Sequence, residues 1–94
     1  MHYYIYLIIS QTSKKKIISY VGYTRNLKNR INLHNKSNGA KFTRGRKWHL
    51  AYSKKYDKKN IAMKEEYKLK KNFVLRQKIK KKFLDKYQNV FDNN

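Results

Sequence analysis

Apolar and polar positions alternate first, then recur at helical spacing, and the switch between the two periods divides the chain into its elements. His2 to Ser10 is rich in β-branched and aromatic residues and reads as a strand. At period two, Tyr4, Tyr6 and Ile8 share one face and Tyr3, Ile5, Leu7 and Ile9 the other. Both faces are apolar or amphipathic, which places this strand in the middle of a sheet. Gln11 to Lys16 is a polar turn, and Ile17 to Tyr23 is a second strand, so the two form an antiparallel hairpin. Gly22 interrupts the second strand and suggests a bulge or a close backbone approach to a ligand.

The period then changes. Thr24 or Asn26 can cap a helix whose core stripe is Leu27 and Ile31, with Leu33 beside it. Arg30 and His34, at i and i+4, stack on one face of that helix. The pattern stops at Asn35 to Gly39, and Gly39 to Lys47 is a basic loop. Trp48 to Tyr56 is a third strand with Trp48, Leu50 and Tyr52 on one face. A turn at Asp57 to Asn60 leads to a helix over Ile61 to Lys71, where Ala62, Glu66 and Leu69 form one stripe that Phe73 continues. Val74 to Tyr87 is a third helix, with Leu75, Ile79 and Phe83 inward. Residues 1–87 are thus expected to form one domain, and 88–94 a frayed tail.

Charge narrows the class of partner. The chain of 94 residues carries 25 Lys and Arg against 5 Asp and Glu, a net charge of +20. A charge of that size must face outward, and a polyanion is its natural partner. A residue bias towards Lys, Asn, Ile, Tyr and Phe accounts for some of the lysine but not for the scarcity of acids. There is no cysteine, which excludes disulfides and thiolate metal sites. The apolar run Tyr3 to Ile9 is too short to span a bilayer and lacks the features of a signal peptide, so a cytoplasmic protein without membrane contact is expected.

The acids are few enough to take one by one. Asp57 falls in a turn, Asp85 in a lysine-rich helix and Asp92 in the tail, which leaves Glu65 and Glu66, and only Glu66 points with the apolar stripe. A two-metal nuclease needs several converging carboxylates, which this chain cannot supply. One carboxylate with water and substrate phosphate completing the shell suits Mg²⁺. Tyr6 and Tyr20 lie on the two arms of the hairpin and can converge. Arg30 offers a planar fork suited to a phosphodiester, and His34 can hydrogen-bond a tyrosine or the phosphate.

At these residues the sequence resembles the GIY-YIG nuclease superfamily, in particular its small single-domain bacterial branch. Tyr4-Ile5-Tyr6 is similar to the first signature and Tyr20-Val21-Gly22 to the second. Arg30, His34 and Glu66 match the helix arginine, the following histidine and the downstream glutamate. The stretches NGAKFTRGRKWHLAY and AMKEEYKLKK resemble that branch's basic loop, third strand and glutamate helix. Tyr4 stands where the first signature has glycine, and the turn between the strands is longer and lysine-rich.

The resemblance implies an α+β fold, a three-stranded antiparallel sheet flanked by helices in the order β-β-α-β-α-α. It implies phosphodiester hydrolysis with one divalent ion, Mg²⁺ or Mn²⁺, and no small-molecule cofactor. In that reading Glu66, or Glu65 if the helix is one residue out of register, binds the metal. Arg30 stabilises charge on the phosphate, Tyr6 or Tyr20 deprotonates the attacking water, and His34 assists by hydrogen bonding. DNA is the expected partner, with branched, flapped or nicked forms in repair or recombination as the substrate class. Lys41, Arg44 and Arg46 of the loop and Lys70, Lys71, Lys80 and Lys81 of the helices are expected to grip its backbone. The alternative is a basic DNA- or RNA-binding module that keeps the scaffold without the chemistry. A homodimer or a partner protein is compatible with a domain of this size.

Overall fold

The apolar alternation of the first strand decides the architecture. In the computed structural model, which describes residues 2–91, β1 (Tyr3–Gln11) is the central strand of a three-stranded sheet. It pairs antiparallel with β2 (Ile17–Thr24) on one side and with β3 (His49–Tyr56) on the other, giving the order β2-β1-β3. The helices are α1 (Leu27–Asn35), α2 (Lys59–Lys71) and α3 (Phe73–Lys86), and one 3₁₀ turn, Lys41–Thr43, interrupts the basic loop. The expected α+β order β-β-α-β-α-α is the observed one. No helix of the described residues is long and apolar enough to cross a membrane.

Successive residues of β1 serve two cores. Ile5, Leu7 and Ile9 pack with Val21 of β2 and with Ala62 and Leu69 of α2, and Ile79 and Phe83 of α3 close that side. Tyr6 and Ile8 face the other way, onto Trp48, and α1 covers them with Leu27 and Ile31. Asn26 caps α1 by accepting from the Asn29 N–H at 3.0 Å, and Thr24 Oγ1 in turn accepts from the Asn26 N–H.

Three expectations are corrected here. Gly22 makes no bulge; it sits in regular register opposite Tyr6. The irregularity is on β3, where Leu7 pairs with Tyr52 but Ile8 pairs with Leu50, so Ala51 is the extra residue. That residue inverts the face parity. Trp48 therefore lies in the α1 core, whereas Tyr52 packs on the α2 side. Phe73 does not continue the α2 stripe, because α2 ends at Lys71 and Phe73 opens α3 as an exposed residue. Asn72 caps α3 by accepting from the Leu75 N–H.

Beyond α3 the chain turns rather than trailing away. Val90 N–H donates to the Tyr87 carbonyl, and the Phe91 ring meets His49 edge-on at 5.1 Å between centroids. The remainder of the expected tail, 92–94, lies outside the described residues.

Candidate active site

The hairpin register places Tyr6 opposite Gly22 and Tyr20 opposite Ile8, so both phenols project to the α1 side of the sheet. One turn of α1 separates Arg30 from His34, and both residues turn towards the same phenol. Arg30 Nε donates to Tyr6 Oη at 3.5 Å, and Tyr6 Oη lies 2.8 Å from His34 Nε2. The Tyr20 ring packs edge-on against His34, 5.4 Å between centroids. Tyr6, Tyr20, Arg30 and His34 are therefore one cluster.

The direction of the hydrogen bonds follows from the residue behind them. Thr43 Oγ1 donates its one proton to the Ala40 carbonyl at 2.8 Å, so it accepts from His34 Nδ1–H, also at 2.8 Å. This fixes the imidazole as the Nδ1–H tautomer and leaves the Nε2 lone pair for the Tyr6 hydroxyl. His34 is fully buried, and burial, with the Arg30 charge, holds its pKa below the usual imidazole value. Burial raises the Tyr6 pKa, the hydrogen bond and charge of Arg30 oppose that, and Tyr20 and Glu66 add smaller upward effects. At neutral pH this is a chain of uncharged groups ending on a guanidinium.

Two glycines let the backbone close on these rings. A Cβ on Gly22 would collide with the Tyr6 phenol, and one on Gly39 would collide with the His34 imidazole. The close approach suggested by Gly22 is thus to a side chain of the site itself. The basic loop is held to the same rings. Asn35 clamps the Trp48 backbone in both directions, Trp48 Nε1 donates to the Thr43 carbonyl, and Ser10 Oγ donates to the Lys47 carbonyl.

On the open side, a cleft of about 340 Å³ is lined by Ser19, Tyr20, Val21, Phe42, Lys70 and Arg76. Tyr20 thus reaches a space open to solvent, whereas Tyr6 is only 1% exposed. Phe42 stacks on Tyr20 with rings 20° apart. Glu66 of α2 pairs with Lys70 at 3.4 Å, keeps 15% of its side chain exposed, and acts electrostatically on Tyr6. Glu65 points elsewhere: it pairs with Lys68 and acts on Tyr56. Glu66 is therefore the carboxylate on the side of the tyrosine–arginine cluster. No group of three His, Cys, Asp or Glu side chains converges among the described residues.

The cations expected to contact phosphate divide into two kinds. Lys41 and Arg44 are exposed on the loop, and Arg46 lies over the Phe42 ring while donating to the Phe42 carbonyl. On α2, Lys70 pairs with Glu66 and Lys71 lies over the Tyr67 ring, whereas Lys81 pairs with Asp85 on α3. Lys80 has a structural tie as well. Its ammonium donates to the Ile17 carbonyl, and burial together with Arg76 and Lys16 lowers its pKa, so it fastens α3 to β2.

Sequence reasoning missed Thr43, Phe42 and Arg76. Thr43 had one visible signal, a small hydroxyl within an otherwise basic loop. Arg76 had none; its guanidinium donates to the carbonyls of Leu69 and Lys70 at the end of α2.

The sequence model of the GIY-YIG catalytic domain matches residues 2–87. A UPF0213 protein of Oceanobacillus iheyensis is 48% identical over 52 residues, covering 54% of this chain and 60% of that one. A UPF0213 protein of Staphylococcus aureus is 40% identical over 52 residues, covering 54% and 63%. The matches thus span under two thirds of these relatives' own lengths. The solution NMR structure of a UPF0213 protein from Bacillus halodurans is 28% identical, covers 99% of this chain and 100% of its own, and superposes with a TM-score of 0.48.

Proposed function

This chain belongs to the GIY-YIG family, and from that premise we propose that it is a metal-dependent endonuclease that hydrolyses DNA phosphodiester bonds, selectively in branched, flapped or nicked structures. The observation that carries the reading is the chain Arg30 Nε–Tyr6 Oη–His34 Nε2, buried behind a cleft that holds Tyr20 and borders Glu66 through Lys70.

Each residue has a role that its placement supports. Arg30 spends Nε on Tyr6, and its two terminal nitrogens make no hydrogen bond to protein among the described residues. That fork is left to two phosphate oxygens, where charge grows as the phosphorus is attacked. Tyr20, in the open cleft, takes a proton from the attacking water as its own proton passes to solvent. Tyr6 is buried, so it acts through Arg30 and His34, setting the guanidinium rather than meeting water.

Glu66 fits a hard divalent cation. It is a single, partly exposed carboxylate that would hold Mg²⁺ or Mn²⁺ as its one protein ligand, a shell that such ions accept. Such an ion, when held there, supplies charge neutralisation at the phosphate and acidifies the nucleophilic water. Lys41, Arg44 and Lys71 supply sequence-independent phosphate contacts.

The test is cleavage of labelled single-stranded, duplex, flap and branched DNAs with Mg²⁺, Mn²⁺ or chelator. Arg30→Ala and Glu66→Ala are each expected to lose at least about a hundredfold in rate, as for removal of a group that acts in the transition state. Binding without cutting, unchanged in both variants, would instead leave a basic DNA- or RNA-binding module.

A further inference from the structure

We propose that the elbow between α2 and α3 binds an unpaired nucleic-acid strand by stacking bases on Tyr67 and Phe73, and leads that strand to the cleft; this rests on the nuclease reading above. The elbow is a shallow depression lined by Tyr67, Lys68, Lys71, Asn72, Phe73 and Val74. Its two rings are among the most exposed apolar groups of the protein, Tyr67 at 60% and Phe73 at 61%. Neither ring is needed by the apolar cores that hold the helices to the sheet.

Charge selects the occupant. The Lys71 ammonium lies 5.3 Å from the Tyr67 ring centroid, and the Arg76 guanidinium lies 5.7 Å from that of Phe73. No acidic residue lines the depression. A second copy of the chain would bring another +20 to the same place, which opposes self-association through this patch. Aromatic faces interleaved with cations suit single-stranded nucleic acid, whose bases are free to stack while its phosphates meet the ammonium groups. In a duplex those faces are hidden in the base stack.

One residue, Arg76, links the elbow to the cleft. Arg76 lies over Phe73 and also lines the space beside Tyr20. On α2, Tyr67 and Lys71 run one above the other, next to the parallel row of Glu66 and Lys70. A strand stacked along the first row carries its phosphates past the second. The substrate class this selects is one with an unpaired segment adjoining the bond to be cut.

The experiment is fluorescence anisotropy with oligothymidylate and with a blunt duplex of matched phosphate number, at several salt concentrations. The Tyr67→Leu and Phe73→Leu variants keep an apolar side chain but lose the ring. Each is expected to weaken single-strand binding about tenfold, leaving duplex binding and the salt slope unchanged, since no charge is removed. Tyr67→Phe and Phe73→Tyr should bind as the wild type does. Equal weakening of both ligands, no weakening in either Leu variant, or sedimentation showing that the patch joins two copies would each overturn the proposal. Unchanged single-strand binding in the Leu variants with metal-dependent cutting intact would sink the elbow and spare the nuclease. A wild type that binds no nucleic acid would sink both.

Discussion

The two faces of the sheet are built from alternate residues of one strand, yet they enclose different interiors. Towards α2 and α3, Ile5, Leu7 and Ile9 pack with Val21, Ala62 and Leu69. Towards α1, Tyr6 and Ile8 meet Trp48, and wedged among them are His34 and Thr43, both fully buried and polar. The first face is held by the area it removes from water. The second is held by hydrogen bonds that have only one workable arrangement, and no buried side-chain nitrogen or oxygen among the described residues lacks a partner. Both faces bury apolar side chains, and the α1 face in addition fixes the positions of a few polar atoms.

Truncation should separate the faces most sharply on the apolar side. Leu7→Ala empties a fully buried site and should cost about 2–5 kcal/mol in urea unfolding, with the α1-side hydrogen bonds still formed in whatever remains folded. A cost below about 1 kcal/mol would mean that this face is loosely packed.

Thr43→Val keeps the shape but takes away the acceptor of His34 Nδ1–H, so a buried donor is left unpaired. The expected loss is about 1–3 kcal/mol, together with reduced cleavage, whereas Thr43→Ser stays near wild type. Nitrogen chemical shifts of the imidazole give a direct check, because the valine variant should no longer hold one tautomer. Equal behaviour of the two variants would show that the hydroxyl does not set the ring.

The smallest effect is one of pH. The folded state holds His34 below the 6.5 of an ordinary imidazole, so the unfolded chain binds the proton first. The stabilisation is fully present above that value and is lost as pH falls through the folded-state pKa. Burial and Lys47 give His49 the same direction of shift, so it must be removed from the comparison. Melting temperatures between about pH 7.5 and 5 should fall less steeply in His34→Gln/His49→Gln than in His49→Gln alone. Identical slopes would mean that the ring takes up a proton as readily folded as unfolded.

What could be read from the sequence was whatever follows from a short period. The two faces of β1, the hairpin and the Arg30–His34 pair were all legible, because each depends on residues at most a turn apart or on a strand's strict alternation. The face of Tyr52 was not, because the extra residue on β3 is Ala51, a position no glycine marks. Glu66 was legible as a carboxylate on an apolar stripe, but its partner Lys70 and its orientation towards Tyr6 needed the packing of α2 on the sheet. Thr43 was missed because its link to His34 crosses from a helix to a loop, a relation that periodicity cannot express. The tie of Lys80 to β2 was illegible for a similar reason: a lysine in a basic helix gives no sign that a carbonyl of another element will bond it.

Among the described residues, the strand order β2-β1-β3 leaves β2 and β3 each with one edge that no further strand pairs, and such edges invite a neighbouring copy to add a strand. Of these two strands, β3 carries Lys54 and Lys55, both exposed, immediately before its end. Lysines at an open edge are a common guard against aggregation, because a second copy would have to bring its own ammonium groups alongside them. Excess positive charge therefore does more than attract a polyanion; it also discourages a small, open-edged sheet from growing into a larger one.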